Sequence, residues 1–377
     1  MTLKDPAAPT AAPRERNHEI DLLRGLACVS VVLFHFLHRG QLDDWIRDHA
    51  PRAVDQLAAY GYLGVHLFFI ISGYVILMSA EGGGARAFVA SRVARLYPAY
   101  WVAAALTAGL AWALQSPSFQ VGWREFLVNL TMLTHLVWLH GEPPYVDGAY
   151  WSLAVEFQFY LLMLAVLLAG ALARIEGLMA GWLLLSSLDF LRPMYLPELL
   201  LALKWAPLFC AGMLFRLIRQ RGLDRRRYLM LWWCHFLVLA RATTPEAMGW
   251  GGGGRETWGV ALLLTLFFLV FWLIAARRWA MRASPLTVWA GLLTYPVYLL
   301  HQNIGYMLLE QLRPLWPSFA GRLALVLALV TLLAVLVQRG VERPLGAWLR
   351  RRLSPPRALP ARAQAPGVAL GQPQPSR

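Results

Sequence analysis

Charged residues are scarce in this sequence. Only 15% of its 377 residues are Asp, Glu, Lys or Arg, whereas soluble domains contain about a quarter. Hydrophobic residues account for 58% of the chain, and 17 residues are tryptophan. A chain with so little charge cannot cover its surface with polar groups in water, which excludes an ordinary soluble domain. The composition therefore indicates a polytopic membrane protein.

Acidic residues and cysteines are also few. The chain has 21 acidic and 35 basic residues, which gives a formal charge of +14. The basic residues form short runs between apolar segments, so they indicate cytoplasmic loops, and no nucleic-acid partner is expected. Cys28, Cys210 and Cys234 lie singly in apolar stretches without metal-ligand spacing. We therefore expect neither a disulfide framework nor a metal site.

Both ends of the chain lack hydrophobic periodicity. Residues 1–17 and 354–377 are rich in Pro and Ala, a composition typical of disordered tails. Residues 18–353 are expected to form one transmembrane domain. No small-residue cleavage site follows the first apolar run, so we interpret that run as a retained span rather than a signal peptide.

Apolar segments of about 20 residues can each cross a membrane as a helix. When the basic runs are placed in the cytoplasm, they predict an all-α integral membrane protein of about ten transmembrane helices with both termini cytoplasmic. The predicted spans are 20–38, 61–79, 96–114, 150–171, 178–191, 198–218, 228–241, 257–275, 286–309 and 322–340.

Two segments between these spans need separate interpretation. Residues 126–140 are apolar enough for an eleventh span, but counting them would place the basic run 276–282 and the C-terminal arginines outside. We therefore expect 126–140 to lie on the outer side, partly inserted or re-entrant. The glycine run 249–254 is expected to be a flexible outer loop.

Ionisable residues inside the spans are candidates for function, because an unpaired charge in hydrocarbon is costly. Arg24 and His35 are eleven residues apart in the first span, which places them on one helical face. Asp21 is near enough to pair with Arg24. Taken alone, a snorkelling arginine and a satisfied core histidine are the simpler interpretation.

Further polar residues are predicted at a similar depth in other spans. Glu156 lies near the outer start of the fourth span, one turn after Ser152, and His301 lies one turn beyond Tyr298 in the ninth. The topology places His35, Glu156 and His301 at similar levels in the outer half of the membrane. Such a group can serve as a general acid and base, but it can equally form the proton relay of a transporter.

Two arginines mark the start of the third span. Arg92 and Arg95 are three residues apart and share a helical face. Ordinary cytoplasmic flanking explains an isolated pair of this kind. The functional interpretation is a phosphate site, because guanidinium groups bind phosphate oxygens bidentately.

Six motifs occur in order along the chain and together carry a resemblance. They are the Arg24-to-His35 spacing, FFIISGY at 68–74, RVAR at 92–95, WSLAVE at 151–156, YPVYLLH at 295–301 and ERP at 342–344. The set resembles the membrane-bound acyltransferase-3 family of bacterial O-acyltransferases, from about residue 17 to residue 350.

The resemblance implies an acyl-CoA donor, most often acetyl-CoA, used as a co-substrate with no bound cofactor. It implies a multi-pass protein of the bacterial inner membrane and an acceptor that is a glycan, a lipid-linked sugar or a small molecule. By motif position, Arg24, Arg92 and Arg95 would bind the donor and His35 would be the general base. An acyl-histidine intermediate is the less favoured chemistry.

The remaining candidates have supporting or undecided roles. Glu156 or His301 would orient or recharge His35, or position the acceptor, and the sequence does not choose between these roles. Asp21, Ser152 and Tyr298 are supporting residues. The alternative function is a proton-coupled transporter or flippase of an envelope lipid or glycan, in which the two histidines and Glu156 form a relay.

Overall fold

A computed structural model of the protein describes residues 17–138, 143–244 and 255–353. Helices account for 80% of it and the described residues contain no strand, which confirms the predicted all-α class. Residues 1–16 and 354–377, which belong to the two expected tails, lie outside the described residues. The glycine run at 249–254 also lies outside them.

The helices of the described residues are numbered here in chain order. They are α1 (His18–Phe34), α2 (Gly40–Leu42), α3 (Arg52–Ala58), α4 (Leu63–Glu81), α5 (Ala85–Leu114), α6 (Trp123–Asn129), α7 (Thr134–Val137), α8 (Tyr150–Leu168), α9 (Ile175–Leu191), α10 (Tyr195–Leu201), α11 (Ala206–Arg221), α12 (Arg225–Ala242), α13 (Arg255–Ala275), α14 (Pro285–Leu300), α15 (Gln302–Leu312), α16 (Phe319–Val337) and α17 (Arg343–Leu353). Two π-helical turns, His35–Arg39 and Gln338–Glu342, join successive helices.

Seven helical stretches in the described residues are long and apolar enough to cross a membrane. They are His18–Leu42, Arg52–Glu81, Tyr150–Leu168, Ala171–Leu191, Tyr195–Arg221, Thr257–Ala275 and Phe319–Leu353. The protein is thus a multi-pass membrane protein. Helix α14 is apolar but shorter, and the predicted spans 96–114 and 228–241 are helical within α5 and α12. The number ten and the cytoplasmic termini stay predictions.

The segment 126–140, expected on the outer side, contains two short helices, α6 and α7. Neither is long enough to span a bilayer, which takes about 20 residues. Asn129 at the end of α6 is fully buried and receives the backbone N–H of Val146 at its Oδ1. The segment therefore folds back onto the chain that leads into α8.

Helix α4 crosses α11 at very short range because glycines face each other. A Cβ added to Gly73 would lie 2.1 Å from the carbonyl oxygen of Phe209, and one added to Gly212 would lie 2.0 Å from that of Ile70. Only glycine fits at such a crossing. Gly73 therefore serves helix packing, and the crossing fixes the position of the adjacent Ser72.

The prediction of one helix over 286–309 is wrong, because the chain forms α14 and α15 with a break at His301. In a continuous helix the N–H of Asn303 would donate to the carbonyl of Leu299. Here the N–H of Asn303 donates to Asp147 Oδ2 at 2.9 Å, and the carbonyl of Leu299 accepts from the Tyr150 hydroxyl at 3.1 Å. Side chains from another segment thus replace a helical hydrogen bond, which is a known cause of helix breaks.

Candidate active site

Helices α1, α4, α5, α8 and α14 surround a cavity of about 70 Å³, which we call the arginine cavity. Its charged lining residues are Arg24, Arg92, Arg95 and Glu156, so three positive charges face one negative charge. A water molecule needs about 10–15 Å³ of such space. The cavity therefore has room for a few waters, which allows charged groups to remain solvated at membrane depth.

The three arginines are held to different degrees. Arg24 Nη1 lies 3.7 Å from Asp21 Oδ1, the ion pair that the spacing indicates. Arg92 donates to Ser79 Oγ at 3.5 Å and to Ser91 Oγ at 3.2 Å. Within the described part of the chain, Arg95 makes no hydrogen bond. Its guanidinium donors thus remain available to a ligand in the cavity.

Glu156 belongs to the arginine cavity. Its Oε1 accepts from the Ser72 and Tyr160 hydroxyls, both at 2.6 Å. None of its hydrogen bonds among the described residues goes to His35 or His301. The interpretation that it acts on the histidines therefore finds no contact to support it.

The direction of α8 explains this separation. Its first residue, Tyr150, contacts the carbonyl of Leu299, close to His301. Ser152 bonds Tyr298, one turn before His301. Glu156 is four residues deeper in α8, about 6 Å further along the axis at 1.5 Å per residue. The residue therefore lies below the level of the histidines.

His35 and His301 form a close pair at the other end of the site. His301 Nε2 lies 3.1 Å from His35 Nδ1, and the ring centroids are 4.9 Å apart. His301 is completely buried, whereas His35 is partly exposed. We call these two residues the histidine pair.

Hydrogen bonds to carbonyl oxygens fix the proton positions of the neutral pair. His301 Nδ1 is 2.8 Å from the carbonyl oxygen of Tyr298, and His35 Nδ1 is 2.8 Å from that of Val31. Because a carbonyl only accepts, both Nδ1 atoms carry the proton. His301 Nε2 then presents its lone pair to the Nδ1–H of His35. The atom left free to take up a proton is His35 Nε2.

The backbone at His35 is unusual as well. His35 is the first residue of a π-helical turn, a feature that often marks functional sites. The hydroxyl of Tyr306, on α15, donates to the carbonyl oxygen of His35 at 3.1 Å. Helix α15 thus contacts His35 as well as following His301 in the chain. The sequence pattern predicts neither the turn nor this contact.

Asp147 is a site residue that the sequence reasoning missed. Its carboxylate is completely buried and accepts the N–H of Ala149 at Oδ1 and that of Asn303 at Oδ2, both at 2.9 Å. Burial raises the pKa of Asp147 to about 7. The residue precedes the first turn of α8 outside the predicted spans, so the search for charges at membrane depth passed over it. An Asp-Gly step before an apolar helix was the available signal.

Ser152 and Tyr298 lie between the two groups. Their hydroxyl oxygens are 2.7 Å apart, and both residues line the arginine cavity. The carbonyl of the same Tyr298 holds His301. Neither histidine is among the described residues that line the cavity. The supporting pair thus forms the wall between the arginine cavity and the histidine pair.

Comparisons with known proteins identify the family of this chain. The family model of an acyltransferase domain, Acyl_transf_3, matches residues 17–339. BcsY of Komagataeibacter xylinus, described as a membrane-bound transacylase, is 33% identical over 178 residues, 43% of this chain and 40% of BcsY. Acyltransferase MdmB of Streptomyces mycarofaciens is 27% identical over 145 residues, 37% of each chain.

The matched regions span about two fifths of the length of each of these relatives. No solved structure matches significantly. The family model, in contrast, covers most of the chain and includes every site residue described above. The protein therefore belongs to the Acyl_transf_3 family, whose model describes an acyltransferase domain.

Proposed function

We propose that the protein moves an acyl group, most often acetyl, from acyl-CoA to a hydroxyl of an acceptor, with His35 as the general base. The observation that carries this proposal is the histidine pair, which leaves a bare Nε2 on His35 beside a cavity rich in arginine. The donor has phosphate groups for the arginines, and an acceptor hydroxyl supplies the proton for His35.

In the proposed reaction, His35 Nε2 removes the proton of the acceptor hydroxyl as its oxygen attacks the thioester carbonyl carbon. The tetrahedral intermediate then expels the CoA thiolate by breaking the carbon–sulfur bond. His35 returns its proton to that sulfur, which leaves an ester and free CoA. While His35 is positively charged, its Nδ1–H donates to Val31 and His301, and this stabilises the charge. Direct transfer therefore needs no acyl-histidine intermediate.

The arginine cavity is the proposed donor site. Arg92 and Arg95 would bind the phosphates, and Arg95 has its donors free for this purpose among the described residues. Arg24 is paired with Asp21 and adds a third positive charge. Glu156 offsets part of that charge and, through its bond to Ser72, holds α8 to α4. We therefore assign Glu156 to the donor site rather than to the base.

The acceptor is proposed to be a glycan, a lipid-linked sugar or a small hydroxylated molecule. The names transacylase and acyltransferase given to BcsY and MdmB agree with this reaction type. A proton relay through both histidines and Glu156, as a transporter would need, lacks a contact from Glu156 to either histidine in the described residues. The geometry therefore favours acyl transfer over transport, and the bacterial inner membrane is the proposed location.

The test uses inverted membrane vesicles that contain the protein and acetyl-CoA labelled in the acetyl group. We compare the wild type, His35→Ala and, as a control, His235→Ala, which removes a histidine bonded to Thr265 away from the site. Label is expected in extracted glycan or lipid with the wild type and the control but not with His35→Ala. Equal labelling by all three proteins would refute His35 as the base, and no labelling by any of them would refute acetyl transfer.

A further inference from the structure

The break between α14 and α15 is stabilised by hydrogen bonds with Asp147, which precedes α8, and with Tyr150, its first residue. Asp147 accepts a hydrogen bond from the N–H of Asn303, and the Tyr150 hydroxyl donates one to the carbonyl of Leu299. These are the donor and the acceptor that would otherwise bond each other across His301. A third contact, from the Asn303 side chain to the carbonyl of Val146, fastens the same segment at 3.0 Å. We call this set the Asp147 clasp.

The clasp depends on having two acceptor oxygens at one position. Asp147 uses Oδ1 for the first turn of α8 and Oδ2 for Asn303, so a single carboxylate ties the start of α8 to the helix break. An asparagine has the same shape but only one acceptor, and its NH₂ group would face one of these N–H donors. The position therefore requires the two acceptor oxygens of a carboxylate, and a side chain of the same volume is not sufficient.

The break places His301 at the junction of α14 and α15, and α15 contacts His35 through the Tyr306 hydroxyl. At the break the Nδ1–H of His301 donates to the carbonyl of Tyr298, and its Nε2 faces His35. The backbone of His301 is itself helical, with φ −76° and ψ −41°. If Asn303 bonded Leu299 instead, α15 would continue the axis of α14, and the packing that holds His301 against His35 would change. Because His301 is completely buried, the ring has little freedom to compensate.

We propose that Asp147 is the positioning residue of the histidine pair: it holds the helix break that keeps His301 Nε2 against His35. This inference rests on the proposed function and adds a residue that touches neither donor nor acceptor. Its effect on the reaction passes entirely through His301. Among the described residues the three arginines make no hydrogen bond with the clasp, so donor binding is expected not to depend on it.

The test is a mutant cycle of Asp147→Asn and His301→Ala, read as CoA release from labelled acetyl-CoA in membrane vesicles. Asp147→Asn alone is expected to lower kcat by about 10- to 100-fold, the range for a catalytic group displaced by about an ångström. KM for acetyl-CoA is expected to stay within about twofold. Added to His301→Ala, the same substitution is expected to change kcat by less than about twofold, because its target is already gone.

A matched control separates positioning from general loss of stability. Asp189 is also buried and also accepts a backbone N–H after a helix end, that of Met194 at 2.9 Å. Asp189→Asn is expected to leave kcat unchanged. Folding of Asp147→Asn is judged by its elution in detergent. If it does not fold, Tyr150→Phe, which removes a single hydrogen bond of the clasp, is used in the mutant cycle in its place.

The outcomes distinguish this inference from the proposed function. Equal loss of kcat from Asp147→Asn in both backgrounds, or an unchanged kcat in the wild-type background, overturns the inference. If the wild-type protein releases no CoA although the Asp189→Asn control folds under the same conditions, the proposed function itself is refuted. Loss of release with His35→Ala together with normal release by Asp147→Asn leaves the function standing and refutes only the clasp.

Discussion

Removing His301 should expose how much the histidine pair contributes to catalysis. In the proposed mechanism the charged His35 ring donates one N–H to two acceptors, the carbonyl of Val31 at 2.8 Å and His301 Nε2 at 3.1 Å. His301→Ala removes one acceptor and keeps the other. A hydrogen bond to a charged group contributes about 1.5–3 kcal/mol. At 1.36 kcal/mol per factor of ten, kcat should fall by about 10- to 150-fold.

The assay is the steady-state release of CoA from acetyl-CoA by vesicles, with kcat and KM determined separately. KM for acetyl-CoA should not change, because His301 does not line the arginine cavity among the described residues. His301→Gln should lose less than His301→Ala, since a glutamine side chain can offer an oxygen to the Nδ1–H of His35. A loss as large as that of His35→Ala, for which about 10²- to 10⁴-fold is typical of a general base, would refute the assignment and make His301 the base.

Three further predictions concern the donor site, the clasp and the helix crossing. Arg92→Ala with Arg95→Ala should weaken binding of labelled acetyl-CoA by at least about tenfold and lower kcat little, and equal affinity would exclude the phosphate site. The pKa of Asp147 is about 7 in the folded protein, whereas its ordinary value is 3.8. Between these two pH values Asp147 keeps its proton in the folded protein and has lost it in the unfolded chain. Thermal stability in detergent should therefore fall as pH rises from about 4 to about 7, and an equally steep fall in Asp147→Asn would contradict this assignment. Gly73→Ala should destabilise the protein by about 1–3 kcal/mol, because its Cβ meets a carbonyl at 2.1 Å, whereas Gly181→Ala, with open space around it, should not.

The local parts of the site follow from spacing within single helices. Asp21 and Arg24 are three residues apart and form the expected ion pair, and Ser152 and Glu156 share a face of α8 that lines the arginine cavity. Helical periodicity fixes such neighbours without knowledge of the fold. The family resemblance, confirmed by the match over 17–339, added the order of the motifs.

The relations between helices were harder to predict. The sequence indicates that His35 and His301 lie near one level but not that their rings touch, and it placed Glu156 with them rather than with the arginines. Depth along a span is known from sequence only to about a turn, and one turn decides which group Glu156 joins. The span 286–309 is apolar throughout, so its sequence does not indicate a break. The break at His301 depends on contacts with Asp147 and Tyr150, which come from another part of the chain.

The wall formed by Ser152 and Tyr298 also bears on the proton gradient across the membrane. A continuous line of polar side chains through hydrocarbon is how proton pumps conduct. Here the two hydroxyls bond each other at 2.7 Å, the Phe68 ring packs against Tyr298 at 5.6 Å, and among the described residues neither hydroxyl bonds a histidine side chain. In the described residues, no continuous line of hydrogen-bonded side chains therefore connects the arginines to the histidines. In the proposed reaction the arm of the donor would have to pass this wall to bring its thioester to His35, and the arm itself would then fill the opening.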